Sequence, residues 1–481
     1  MTLSTALSSA LSGLKAGGRA ADVVSSNLAN ATTDGYAPRA LELSPERLGG
    51  VSVQGVTRAV EEGLVSESRL SQARFSRAET LSSFAADMER AIGNPTEASS
   101  LSAHATRFEA SLVEAASRPD VTVRLEAAVD EAQALAGKLG GITDAIQNAR
   151  TRADAGIERA VETVNATLSR LEKLDARIVR AGHGGGQTAT LEDHRDRALD
   201  QLAEFLPLRR VPRENGAIAL YSRGGATLLD GKAATLGFSP VNVVTPHMTV
   251  QNGQLSGLTI NDEPIRVSGD DHPIAGGRLG ALFELRDEQA VSAQAGVDAI
   301  ARDLIQRFQT PGLDPTRAPG DAGLFTDSDQ SFSPADETGL AGRIAVNPAV
   351  VPEKGGAAWR LRDGINAAVP GPAGDAGLLR NLEAALGASQ SLTSGGLGVV
   401  ARSAADHMAA LASDIGQTRL RMDRDMSHAA AQREELYDLR ARKGVDSDAE
   451  MQKLLLIEQA YGANVRMIQT LDEMMQTLLR I

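Results

Sequence analysis

A mainly α-helical, elongated chain of several domains, with one inserted β-rich module, is predicted by three observations. Apolar residues recur at three- and four-residue spacing through most of the sequence. Aromatic residues make up 3% of a chain that is 42% hydrophobic, with Trp359 the single tryptophan, which points to cores of Ala, Leu, Val and Ile. One stretch, 208–275, switches to short Val/Ile/Leu runs between the turn signals Asn215-Gly216, Gly224-Gly225, Asp230-Gly231 and Asn252-Gly253. With 481 residues, two to four domains are expected.

The first element is a helix whose stripe is Leu3, Leu7, Ala10, Leu14, Gly17, Ala21, Val24 and Leu28, an alternation of four and three with Leu11 beside it. Only Lys15, Arg19 and Asp22 are charged before Asn30. A helix so poor in charge is expected to be enclosed by neighbours, and alone it would be marginally helical. It ends at Asn30, and Asp34-Gly35 favours a turn. Pro38 and Pro45 keep the following path extended, and Val51, Val53 and Val56 point to a short strand.

Helical spacing resumes from Glu62 to Ile92, breaks at Asn94-Pro95, and returns from Ser100 to Ser117. After Pro119 the longest helix carries Ile157, Val161, Val164, Leu168, Leu171, Leu174 and Ile178, until Gly182-His183-Gly184-Gly185-Gly186 stops it. A helix from Thr190 to Leu206 leads into the β-rich module. Helix returns from Leu279 to Phe308, and 311–375 is irregular and rich in Gly, Pro and Asp. Helices at Leu378–Leu386 and Val399–Arg442 follow.

The last helix opens on the acidic cap Asp446-Ser447-Asp448 and carries the stripe Leu454, Ile457, Tyr461, Val465, Ile468, Leu471, Met475 and Leu478. At 1.5 Å per residue the first helix spans roughly 40 Å and the last roughly 50 Å, so the two ends of the chain are expected to pair as a coiled coil. The expected division is 1–60 with 444–481 as a terminal assembly domain; 61–207, 276–310 and 376–443 as a helical rod; 208–275 as a β-rich outer domain; and 311–375 as an outer segment.

Charge and composition narrow the function. The formal net charge is −13, from 62 acidic and 49 basic residues, which disfavours nucleic acid and anionic lipid as partners. No cysteine is present, so thiol catalysis, disulfides and thiolate zinc sites are excluded. No run approaches the roughly 20 apolar residues that span a bilayer, and the N-terminus lacks a conventional signal peptide, so any export is expected to use another route.

Apparent catalytic motifs fail on spacing. His183-Gly184-Gly185-Gly186 has no Gly-x-Ser-x-Gly elbow to serve, and His194-Arg195-Asp196 lies in a helical pattern without the downstream Asn of a kinase loop. Gly225 to Lys232 has five residues between its glycines and Ala233 where magnesium needs a hydroxyl. Asp327, Asp329 and Ser331 begin like a calcium loop, but Phe332 stands where Gly is required. The seven histidines are scattered. The expectation is a structural protein with no catalytic residue, no metal and no cofactor.

The run Asn27-Leu28-Ala29-Asn30-Ala31-Thr32-Thr33-Asp34-Gly35-Tyr36, with Asp34 in place of Pro, resembles the N-terminal signature of the bacterial flagellar rod, hook and hook-associated proteins. The run from Glu458 through Tyr461, Asn464 and Ile468 to Thr470, followed by Asp472-Glu473-Met474-Met475, resembles their C-terminal signature. Leu191 to Leu199, Gly276 to Asp287 and Lys443-Gly444-Val445-Asp446 are most similar to the hook-associated protein 1 family.

The resemblance implies an extracellular adapter at the hook–filament junction, secreted without a cleaved signal peptide. It also implies self-association in a ring and contact with hook protein, with a second junction protein (hook-associated protein 3), with an export chaperone and with the flagellar type III export apparatus. The assembly interface then comprises Leu3, Leu7, Leu11, Leu14, Val24, Asn27, Leu28, Asn30, Gly35 and Tyr36, with Leu454, Ile457, Tyr461, Val465, Ile468, Leu471, Met475 and Leu478. The alternatives are hook protein itself and a secreted coiled-coil translocator or effector.

Overall fold

The computed structural model describes residues 3–33, 35–47, 49–183, 188–269 and 272–479. Asp34 and Gly184–Gly186 lie outside the described residues, as do the side chains of Leu3 and His183.

The chain starts with α1 (Leu3–Ala29) and an antiparallel hairpin of β1 (Arg39–Pro45) and β2 (Val51–Arg58). The first of these strands was expected only as extended chain; its pairing with β2 supplies the backbone partners that Pro38 and Pro45 leave untouched at its two ends. Then come α2 (Glu62–Ile92), α3 (Leu101–Ser117), the 62-residue α4 (Thr122–His183) and α5 (Ala189–Ala203).

The β-rich stretch forms two small sheets. One is a meander of β3 (Leu208–Pro212), β4 (Ile218–Ser222), β5 (Thr227–Asp230) and β6 (Lys232–Ala233). The other pairs β7 (Leu236–Gly237), β8 (Leu258–Ile260) and β9 (Glu263–Ile265). Asn215 and Gly216 make the β3–β4 turn with φ of 56° and 78°, the left-handed pair that an Asn-Gly hairpin supplies at little cost.

Helix returns as α6 (Arg278–Glu284) and α7 (Ala290–Gln309), but the expected unbroken helix is interrupted by a π-helical turn at Leu285–Gln289. The extra residue of that turn rotates Arg286 into the interior, where it is fully buried. The remaining elements are the hairpin of β10 (Phe325–Asp327) and β11 (Ile344–Val346), the single turn α8 (Arg360–Asp363), α9 (Gly377–Gly387), α10 (Ala404–Arg442) and α11 (Ser447–Leu479). The tenth helix begins five residues later than its apolar pattern suggests. Ser403 Oγ accepts from the Asp406 N–H at 3.1 Å as its cap, and Gln390 and Arg402 pair as extended backbone just before it.

Two apolar cores form along α4. Its first half, Leu125 to Ala153, packs with α2, α3, α7, α9 and the start of α10. Residues 311–375 join this core through Leu324, Phe325, Leu340, Ile344 and Val346, and Phe108, Phe308 and Phe325 meet at ring distances of 5.3–6.1 Å. The second half of α4, Ile157 to Leu171, packs with α5 and both small sheets. Among the described residues no side chain of α1, β1, β2 or α11 belongs to either core, and no helix is long and apolar enough to cross a membrane.

Candidate assembly interface

The terminal helices lie against each other because small residues on α1 permit close approach. A methyl group at Gly13 would stand 2.8 Å from Asn464 Nδ2, and one at Gly17 would stand 3.6 Å from the Tyr461 ring. On another side α1 meets the hairpin: Ser12 Oγ accepts from the Val51 N–H at 3.2 Å, next to Gly50 with φ of 100°.

The expected leucine stripe therefore divides. Its inward side carries Ala10 and Val24, both buried, and Leu14, half-buried, while Leu7, Leu11 and Leu28 remain 40%, 48% and 38% exposed. On α11, Leu454, Ile457, Val465, Ile468 and Leu471 are half-buried, whereas Tyr461, Met475 and Leu478 are exposed. A second apolar line on α11, Leu456, Met467 and Met474, is also exposed, and periodicity had not singled it out. Exposed apolar lines of this length are uncommon on the surface of a monomeric protein.

The N-terminal signature has a specific mechanical role. Asn27 is fully buried, and its Oδ1 accepts from the Arg39 N–H and the Tyr36 hydroxyl, each at 2.9 Å. Its Nδ2 donates to the Arg39 carbonyl at 2.9 Å and to Glu450 Oε2 at 3.1 Å. One amide thus ties α1, β1 and the first turn of α11 together. Asn30 Nδ2 closes the helix end on the Ser26 carbonyl at 2.8 Å, and the Arg39 guanidinium stacks 4.9 Å from the Tyr36 ring centroid. Gly35 has φ of 72°, and a Cβ there would strike Arg197 Cγ at 2.6 Å, so glycine is required twice over.

The partner of Asn27 went unrecognised in the sequence, as did a charged row that holds the terminal segments against the helical body. Glu192, Asp193, Asp196 and Asp200 occupy one face of α5. Arg39 and Arg58 of the hairpin reach Asp193 at 3.1 and 2.9 Å, and Arg58 reaches Asp196 at 2.6 Å. From the other side Arg69 of α2 pairs with Asp196 and Asp200, and Arg440 of α10 with Asp200 at 2.8 Å. The available signal was the spacing of those four carboxylates and the placement of Arg39 and Arg58 at the open ends of the hairpin strands.

Burial works to raise the Asp196 carboxyl pKa, but Arg69, Arg58 and Arg210 outweigh it and hold it below the usual carboxylate range. With the folded value depressed, the stabilisation is complete above the unfolded value and is lost as pH falls through the folded one. The denaturant-midpoint advantage of the natural chain over Asp196→Asn is therefore expected to stay constant from about pH 7 to 5 and to shrink below about pH 4. A difference already lost at about pH 6, or intact at about pH 2, contradicts this assignment.

The motifs dismissed above have structural occupations. Arg195 pairs with Asp175 at 3.0 Å and donates to the Gly216 carbonyl at 2.7 Å. Gly225 lies in the β4–β5 turn with φ of 88°. Asp327 is engaged by Arg343 at 2.8 and 3.0 Å.

Residues 85–322 match the family model described as the helical domain of flagellar hook-associated protein FlgK. Residues 7–36 match the model of flagella basal body rod protein, and 442–481 that of the flagellar basal body rod FlgEFG protein C-terminal region. Flagellar hook-associated protein 1 of Bacillus subtilis (strain 168) is 23% identical over 509 residues, covering 98% of this chain and 97% of that protein. The solved structure of the flagellar hook junction protein FlgK from Burkholderia pseudomallei is similar over 54% of this chain and 46% of that one, with 21% identity and a TM-score of 0.44.

Proposed function

We infer that this chain, a flagellar hook-associated protein by the matches just described, is a structural subunit of the bacterial flagellum that serves as the adapter between hook and filament. The observation that carries the reading is the terminal rod: among the described residues α1 and α11 share no core with the rest and keep Leu7, Leu11, Leu28, Met467, Met474, Met475 and Leu478 exposed. Burying such a surface between copies is a driving force for assembly.

In this reading α1 and α11 act as a coiled coil within a tube of identical subunits, joined through Leu7, Leu11, Leu28, Tyr461, Met475 and Leu478. The inward residues Val24, Ile457, Val465 and Ile468 hold each pair together. Residues 61–207, 276–310 and 376–443 form the surrounding rod, and 208–275 and 311–375 face outward. The role is mechanical rather than catalytic. The subunit travels through the flagellar type III export apparatus with a chaperone, without a cleaved signal peptide, and in place outside the cell it contacts hook protein on one side and hook-associated protein 3 on the other.

A strain lacking the gene is expected to build hooks that bear no filament and to release flagellin into the medium. Electron microscopy of the cell surface and blotting of the culture supernatant check this. Missing hooks would indicate hook protein instead, and normal swimming would remove the chain from the flagellum altogether.

A further inference from the structure

The exposed face of α4 is sorted by charge along its 62 residues. In the first half the exposed charges are Glu126, Asp130 and Asp144; from Arg152 to Arg180 every exposed charge except Glu162 is basic. At 3.6 residues per turn all of these positions fall within about 80° around the axis, so they form one stripe that changes sign midway. Among the described residues only Arg152 of this stripe has an ion pair, with Asp87 at 3.2 Å. The sorting disfavours the single chain. Glu126 and Asp130 stand four apart, and Arg170, Lys173, Arg177 and Arg180 step by three or four with no carboxylate interposed on the stripe. The helix dipole accounts for acid or base only within a terminal turn, and Asp130, Asp144, Arg159, Arg170 and Lys173 lie two or more turns inside α4. On the same face Gly137 and Gly141 have no atom within 4 Å of where a Cβ would stand, although glycine weakens a helix relative to alanine.

We propose that this stripe is a docking surface for a second copy of the chain, set parallel and displaced along α4 so that the acidic half of one copy lies on the basic half of the next. Two copies side by side without displacement would lay acid on acid and base on base. A slide of roughly 40 Å, at 1.5 Å per residue, brings Glu126, Asp130 and Asp144 each beside an arginine of the neighbour, at Arg152, Arg159 and Arg170. The open space over Gly137 and Gly141 lets the neighbouring backbone approach. Single exposed ion pairs contribute little, but a matched row excludes the wrong register and so decides how far one copy is displaced from the next. Each copy offers one acidic and one basic half, so the contact is heterologous and passes from copy to copy. An antiparallel pair would match the same charges but would close at two copies. The parallel choice follows from identical subunits sharing one direction in a tube, and in that respect the inference rests on the junction reading above.

The chain contains no cysteine, so Val123→Cys and Asn148→Cys, both exposed and uncharged on the stripe, are unique cross-linking handles. They lie roughly 37 Å apart in one helix, too far to be bridged within a copy, and the proposed slide brings them together between copies. Full-length protein carrying both is expressed in place of the natural chain, and isolated flagella are treated with a flexible bis-maleimide. A ladder of cross-linked species beyond the dimer is expected, and only monomer from either cysteine alone. As a second readout, Arg159→Glu with Arg170→Glu is expected to lower filament number roughly tenfold, with helicity and urea midpoint of the isolated subunit unchanged. Adding Asp130→Lys and Asp144→Lys to that chain is expected to restore at least about half of the filaments, because the exchanged halves match again. A subunit present in the flagella that stays monomeric, stops at the dimer or cross-links through one cysteine alone overturns the proposal and leaves the junction reading intact. So does a loss of filaments that the second exchange fails to rescue, or no loss at all. A subunit absent from the flagella overturns the junction reading, and this inference falls with it.

Discussion

Alanine in place of Arg286 is expected to destabilise the helical body by about 3–5 kcal/mol, the cost of leaving a buried carboxylate without its partner. The guanidinium is fully buried, and it donates to Asp154 at 2.6 Å, to both oxygens of Asp287 at 2.9 and 2.8 Å, and to the Ser256 carbonyl at 2.9 Å. It also lies 5.0 and 5.6 Å from the ring centroids of Phe283 and Phe238. The Arg286 carbonyl accepts from Arg150 Nε at 2.9 Å, and Arg150 continues to the carbonyls of Thr245 and Met248. Asp154 in turn accepts from the Val241 N–H at 2.7 Å. The hub therefore fixes the 238–256 loop to α4. Adding Asp154→Ala to Arg286→Ala is expected to cost less than the sum of the two single changes, because the stranded charge is gone. Urea midpoints of the body transition for the four chains check this, and strict additivity would mean that the pair does not interact.

That hub also shows what the sequence conceals. The helices α1 to α5 and α9 to α11 announce themselves because their apolar spacing is local, so Glu62–Ile92 and the end of α4 are readable from the residues themselves, whereas the short turn α8 inside 311–375 is not. The π-helical turn is not, because Arg286 within an apolar helical pattern looks like a solvated charge until Asp154, 132 residues earlier, is brought beside it. The same holds for Glu450 and for the α5 row, whose partners are 423 and more than 100 residues away. The signature residues were legible as a pattern, and the fold supplies their physical content: Asn27 joins three segments and Gly35 makes room for Arg197. The leucine stripe of α1 was legible as well, but not its division into an inward side with Ala10, Leu14 and Val24 and an outward side with Leu7, Leu11 and Leu28. Periodicity reports that a face is apolar and is silent on which neighbour covers it.

The division of that stripe yields the sharpest separation of intrachain from interchain roles. Val24 is 5% exposed, so Val24→Asp buries an unpaired carboxylate within one subunit and is expected to loosen α1 in the isolated protein. Leu11 is 48% exposed, so Leu11→Asp leaves the isolated subunit folded, with the same helicity and urea midpoint as the natural chain. In the assembled tube the same carboxylate would be stripped of water without a partner, at several kcal/mol, which lowers the affinity of each added copy roughly a hundredfold or more. Cells carrying Leu11→Asp are therefore expected to secrete a stable subunit and to lose nearly all filaments, as counted by electron microscopy. Filament numbers equal to those of the natural strain would show that Leu11 faces water in the flagellum too, and would move the interface to the second apolar line of Leu456, Met467 and Met474.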